Sequence, residues 1–217
     1  MKNKIWKLFV IAGTMLILSA LFLCLYNVWD SRRAGKRAED ILVQLKDEIP
    51  ETHEYTQESD LTPPDSEEDL FEQYSNETDE VKTISIDDRY YCGYIMIPKL
   101  GTELPVMDGW SYEGLKYSPC RYSGSVQDDD IVIAAHNYSS HFGNIRDLVQ
   151  GDEVDFIDCS GTVHRYEVIY SEEIDGYNVE QMLRRQDGEW DMTLFTCTLS
   201  GQSRVTVRLE RIKEKED

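Results

Sequence analysis

The spacing of apolar positions divides the chain into three stretches. Leu8 to Trp29 is apolar apart from small or weakly polar residues such as Thr14, Ser19 and Asn27. About 20 such residues span a hydrocarbon core as a helix. Lys2, Lys4 and Lys7 precede this run, and Tyr26 and Trp29 close it as an aromatic belt would. From Ser31 to Ile49 the pattern changes. Ala38, Ile41, Leu42 and Leu45 recur at helical spacing, which predicts a short amphipathic helix continuing the first. From Ile84 onward the pattern becomes that of short β-rich runs separated by turn residues. Strands are predicted at Tyr91–Ile97, Glu103–Val106, Ile131–Ala135, Glu153–Ile157, Val163–Tyr170, Met192–Thr196 and Arg204–Glu210, with Cys159-Ser160-Gly161 as a hairpin turn. Helices are predicted at Asn144–Val149 and Val179–Arg185. Many regularly spaced strands and few helices indicate a closed barrel or a sandwich.

A cleaved signal peptide is the rival reading of the first stretch. Its apolar region would be about 7–15 residues long and followed by small residues; this run is longer and ends in bulky ones. Lipoprotein processing at Cys24 is disfavoured because Leu23 precedes it. The expected organisation is a membrane anchor over 1–30, a juxtamembrane helix and acidic stalk over 31–84, and a folded domain over 85–217. The charged end Lys213-Glu214-Lys215-Glu216-Asp217 predicts no second span. Three lysines before the run face Arg32, Arg33, Lys36 and Arg37 after it, so basic residues alone do not set the orientation.

Charge changes the picture mainly by location. The formal net charge is -20, which argues against nucleic acid as a partner, because phosphate binding needs clustered Lys and Arg. Between Glu39 and Glu80 there are sixteen acidic residues and one basic residue, a net -15. The acidity therefore belongs to the stalk, where Pro63-Pro64 and the scarcity of apolar residues predict disorder. Its expected role is to hold the domain off the membrane. No cofactor or metal site is called for. Asp128-Asp129-Asp130 reads as a solvated turn rather than a cation site, and none of the five cysteines forms a CxxC pair. Cys92, Cys120 and Cys159 read as small buried residues.

Three polar residues stand where an apolar strand meets a loop. Cys197 ends Met192-Thr193-Leu194-Phe195-Thr196-Cys197. His136 ends Ile131-Val132-Ile133-Ala134-Ala135-His136. Arg204 begins Arg204-Val205-Thr206-Val207-Arg208-Leu209. The short connection Thr198 to Gln202 contains Gly201. If it joins antiparallel neighbours, Cys197 lies near Arg204. Alternation puts Val205, Val207 and Leu209 on the core face and Arg204, Thr206 and Arg208 on the other, with Arg208 farther from the cysteine. On this reading Arg208→Lys is mild. Taken singly, each residue is more often structural than catalytic. His141 is the main rival to His136, His53 lies in the stalk, His164 reads as a surface residue of a hairpin strand, and Asn137 either orients a histidine or serves a turn.

Together these segments resemble the sortases. Thr193-Leu194-Phe195-Thr196-Cys197 matches the family's TLxTC motif, Arg204 falls where the family carries its essential arginine, and Ala135-His136-Asn137 resembles its histidine segment, with Ala135 where glycine is common. The resemblance spans about Gly93 to Glu210. It implies a mainly β fold: a closed eight-stranded barrel behind an N-terminal transmembrane helix, with the catalytic domain extracellular on a Gram-positive cell. It implies a cysteine transpeptidase that cleaves a C-terminal sorting motif of secreted surface proteins through a thioester and transfers the acyl group to an amine of a cell-wall precursor or a pilin. Cys197 would be the nucleophile, His136 the general acid and base, and Arg204 the support of the substrate and oxyanion. The helix at Val179–Arg185 resembles the insertion of class B enzymes, and a class D-like enzyme fits equally well. Other readings of the same residues are a Cys-His hydrolase ending with water and a non-catalytic surface binding module on a stalk.

Overall fold

The computed structural model describes residues 2–54, 81–183 and 189–213. Most of the acidic stretch (55–80), the end of the helix predicted to reach Arg185 and the last four residues lie outside these.

One unbroken helix, α1 (Lys2–Glu48), begins the chain. Its first half exposes its large apolar side chains, with Phe9 70% and Leu16 72% accessible, and it is long and apolar enough to cross a membrane. Its second half is amphipathic. Ala34, Ala38, Ile41, Leu42 and Leu45 are buried where the helix packs on strands β2 (Ile84–Ile86), β3 (Arg89–Ile97) and β4 (Thr102–Met107). The three larger side chains contribute about 1.5–3 kcal/mol each at most. Lys46 pairs with Glu103 at 2.5 Å at this contact. Both side chains are more than a third exposed, so the pair adds less than about 1 kcal/mol.

The remaining strands are β1 (His53–Glu54), β5 (Cys120–Ser123), β6 (Ile131–Ala135), β7 (Glu153–Asp158), β8 (Thr162–Asp175), β9 (Met192–Cys197) and β10 (Ser203–Arg211). Eight of the ten strands among the described residues close a ring in the order β3-β4-β5-β6-β9-β10-β8-β7, with β7 pairing back to β3. Strand β1 adds to the edge of β8 and β2 to β3. Closure leaves no free edge in the ring. The barrel interior holds Ile95, Ile133, Leu194, Val207 and Leu209, all fully buried. A second apolar layer on the outer face joins Val132, Ala134 and Phe195 to the α1 residues Ile41 and Leu45.

Close approach fixes one glycine. β3 is flanked by β4 and β7 at Gly93, where the register shifts; φ is +149° and a Cβ would lie 2.1 Å from the Ile157 carbonyl oxygen. The β7–β8 turn is the predicted hairpin. The Asp158 carboxylate accepts from the Ser160 and Thr162 amides at 2.8 and 3.1 Å.

All seven predicted strands are present, Ile131–Ala135 with the expected bounds and the other six extended by one to several residues. Three further strands are not in the expected set: β1, two residues at the start of the expected stalk, β2, three residues, and β5, which is four residues long, follows Pro119 and carries a register shift. The helix expected at Asn144–Val149 is a single 3-10 turn, Ile145–Asp147. The second is α2 (Val179–Leu183) within the described residues. His164 is not a surface residue. It is 2% exposed, with Nε2 2.8 Å from the Asp158 carboxylate.

Candidate active site

Strand register builds the site. β9 lies between β6, parallel to it, and β10, antiparallel. Ala135 pairs with Thr196 across β6–β9, and Arg204 pairs with Cys197 across β9–β10. His136 and Cys197, each one residue beyond the Ala135–Thr196 pair, therefore end neighbouring strands at the same rim of the barrel. The Thr196 hydroxyl locks this register by donating to the Ala135 carbonyl at 2.8 Å. Alternation sets the face. Ile131, Ile133, Met192, Leu194, Val205 and Val207 point into the core, so the residues of opposite parity, Cys197, Arg204 and His136, belong to the outer face.

Cys197 is half-buried, whereas Cys92, Cys120 and Cys159 are buried, and all are free thiols. Burial pushes the Cys120 and Cys159 thiols up to about 11 and the Cys92 thiol higher still. Their sulfurs face the carbonyls of Ser118, Tyr91 and Val106. Thiolate chemistry is thus suppressed at these three.

His136 is half-buried. Burial lowers its pKa, the negative charge of Asp30 opposes that shift, and Lys116 adds to it. Its ring lies 4.9 Å from that of Tyr138. The loop that follows is held by its own backbone, with the amides of His141 and Gly143 both donating to the Tyr138 carbonyl at 2.9 Å. His141 lies behind this loop and is 1% exposed. Burial, and then repulsion from His136, lowers its pKa to about 4. Among the described residues its buried ring nitrogens have no hydrogen-bond partner, and they are closed off from solvent, whereas His136 is half-buried.

Arg204 is half-exposed. Its Nη1 donates to the carbonyls of Gly201 and Ser203 at 3.0 and 3.1 Å. Gly176 permits this position, because a Cβ there would lie 3.0 Å from the same nitrogen. Arg208, in contrast, is fully buried. Its guanidinium contacts Glu172 at 3.0 Å, the Thr193 hydroxyl at 2.8 Å and the Gln181 carbonyl at 2.7 Å, and stands 4.4 Å from the centre of the Trp190 ring. Lysine there, expected to be mild for activity, would therefore cost stability, because a point charge cannot replace a fork with four kinds of partner.

The acidic turn is occupied by the protein itself. Ser125 donates to Asp130 and Asp128, and Asp129 pairs with Arg211. Two features were not read from the sequence. One is a run of aromatic edge contacts from Phe195 through Tyr122 and Trp110 to Tyr112, leading from the cysteine strand to the surface. The other is Tyr138. Both depend on neighbours distant in sequence.

A closed β-barrel with a half-exposed cysteine, a histidine and an arginine at adjoining strand ends defines the class of protein. The family model described as "Sortase domain" matches residues 95–212, more than half the chain, and the chain belongs to the sortase family. No curated protein matches it. Among solved structures, a pilus-related sortase C of Group B Streptococcus is 26% identical, with a TM-score of 0.52, covering 60% of this chain and 71% of its own. A Clostridium perfringens sortase D5 transpeptidase is 20% identical, with a TM-score of 0.57, covering 82% and 99%. A sortase C of Clostridium perfringens SM101 is also 20% identical, with a TM-score of 0.50, covering 85% and 90%.

Proposed function

We propose that the protein is a membrane-anchored cysteine transpeptidase that cleaves a sorting motif near the carboxyl end of secreted surface proteins. The observation that carries this reading is the paired register that sets His136, Cys197 and Arg204 on one outer rim. The Cys197 thiolate attacks the scissile carbonyl carbon, forming a C–S bond while the C–N bond breaks. The leaving amine takes its proton from His136. Arg204 directs its guanidinium to the oxyanion and substrate backbone. An acceptor amine then attacks the thioester, the C–S bond breaks, a new amide forms, and the amine's proton passes to His136. Cys197 returns to its starting state.

The acceptor is an amine of a cell-wall precursor or of a pilin; the pilin alternative has support in the pilus-related relative. Helix α1 anchors the chain in the cell membrane with the barrel outside. Residues 85–217 are the catalytic domain, and circular dichroism of that fragment against the full chain in detergent tests the boundary.

Incubation with a sorting peptide and no acceptor tests the chemistry. Intact-mass spectrometry should show an acyl adduct that hydroxylamine removes. Cys197→Ala should lack it, and Cys92→Ala, Cys120→Ala and Cys159→Ala should retain it. An adduct that survives Cys197→Ala overturns the assignment. Release of free acid at an unchanged rate when amine is added favours a hydrolase.

A further inference from the structure

The second half of α1 does more than cover the barrel. Just beyond Trp29, where the exposed apolar run ends, the helix meets the loop that carries His136. The Tyr138 hydroxyl donates to the Asp30 carboxylate at 2.6 Å. One residue on, the Ser31 carbonyl accepts from the Ser140 hydroxyl at 2.8 Å. The approach is tight: a Cβ at Gly35 would lie 2.8 Å from that of Ser140. Tyr138 is thereby gripped at its hydroxyl end by the anchor helix. Its ring lies 4.9 Å from that of His136 and 5.6 Å from that of His141. Asp30 and Tyr138 lie 108 residues apart in sequence, and Ser31 and Ser140 lie 109 apart.

We propose that Asp30 and Tyr138 are a positioning pair for His136, so that the end of the membrane anchor sets the orientation and protonation of the histidine at the active-site rim. The proposal rests on the reading of His136 as general acid and base. Asp30 does not touch the reacting atoms; it acts through the tyrosine ring and through its charge. Two effects follow. Holding the Tyr138 hydroxyl fixes one wall of the imidazole. The Asp30 carboxylate also favours the imidazolium that must protonate the leaving amine, against the burial that disfavours it. The other titratable or charged groups near His136 are Lys116 from the 3-10 turn Gly114–Lys116 and His141 from its own loop, while Cys197 and Arg204 stand at the same rim on β9 and β10. Of the charged groups that bear on its pKa, Asp30 favours the imidazolium and Lys116 opposes it. The anchor thus contributes a residue to the working of the site, and not only to its location.

The test uses the full chain in detergent micelles with ring-labelled histidine. The His136 resonance is assigned from its loss in His136→Gln. Asp30→Asn is nearly isosteric and keeps an oxygen to accept from Tyr138, while Tyr138→Phe keeps the ring and removes the hydroxyl. In Asp30→Asn the titration midpoint of His136 should fall and the melting temperature should hold. Acylation of Cys197 by a sorting peptide should slow by about tenfold to a hundredfold, as a misplaced catalytic group does. In Tyr138→Phe the rate should also fall, and adding Asp30→Asn should cost less than it does alone. An unchanged His136 titration and rate in Asp30→Asn, with the melting temperature held, overturns the proposal. If the parent chain forms no adduct, the transpeptidase reading fails, while the titration still decides whether Asp30 acts on His136. If Asp30→Asn lowers the melting temperature, Tyr138→Phe takes over: a normal rate with the ring retained is equally fatal.

Discussion

Arg204 and Arg208 stand four residues apart on one strand and on one face, yet they occupy opposite environments. Arg204 lies at the rim, half-exposed, and its observed bonds are to two backbone carbonyls of its own connection. Arg208 lies under a roof made by α2 and Trp190. A buried guanidinium needs its partners, because an unpaired charge in the interior is strongly destabilising. A rim guanidinium with spare donors is suited to bind something from outside. The same chemistry thus serves structure at one position and is available for function at the other, and the difference is made by what covers the face.

The sharpest way to break this contrast is Arg204→Lys. The peptide acylation rate should fall by about 10²–10³-fold, with the melting temperature unchanged, since lysine keeps the charge and loses the fork. A large loss of stability there would show that Arg204 is structural too. Arg208→Ala is the complement. Chemical denaturation should show a loss of about 3–5 kcal/mol, because Glu172 and two carbonyls lose their donor. Activity per folded molecule should change far less.

Another pair on one loop, His136 and His141, extends the comparison to pH. His141 has a folded pKa near 4, below its ordinary value of about 6.5. The unfolded chain therefore binds the proton more readily. The stability gained by keeping it neutral is fully present above about pH 6.5 and is lost as pH falls toward 4, a total of about 3 kcal/mol. Replacing His141 with Leu should flatten the stability profile over that window in urea titrations. A profile as steep as the parent's would assign the acid sensitivity elsewhere. The smallest expected effect is Glu172→Gln. The carboxylate is 29% exposed, so weakening its pair with Arg208 should cost about 1 kcal/mol. A cost equal to that of Arg208→Ala would mean that the ion pair alone, rather than the whole set of partners, holds the roof.

Much of this could be read from the chain. Period-two alternation in Val205–Leu209 places the core face of that strand, the wholly apolar Ile131–Ala135 reads as a buried one, and a histidine, a cysteine and an arginine at strand ends, in that order, mark one rim. The helical spacing of Ala38, Ile41, Leu42 and Leu45 gives an apolar stripe. These are local patterns, and local patterns report which side of an element is apolar. They do not report what meets it. The stripe's partner is the barrel wall itself, so α1 is continuous from the apolar run to its docking site on β2, β3 and β4. The burial of Arg208 depends on α2 and Trp190 covering the outer face, and that of His164 on Asp158 across a hairpin. β5 is legible only once β4 and β6 stand beside it.

The sequence by itself determined the period of each main strand, the apolar run that can cross a membrane, and the identity and order of His136, Cys197 and Arg204, because side-chain chemistry and residue spacing are properties of the chain alone. Only the tertiary structure decided that Ala135 sits opposite Thr196 and Arg204 opposite Cys197, that Arg208 is sealed while Arg204 is open, and that Asp30 reaches Tyr138. Each of these is a contact between segments distant in sequence, selected when the barrel closes and every buried polar group must find its partner.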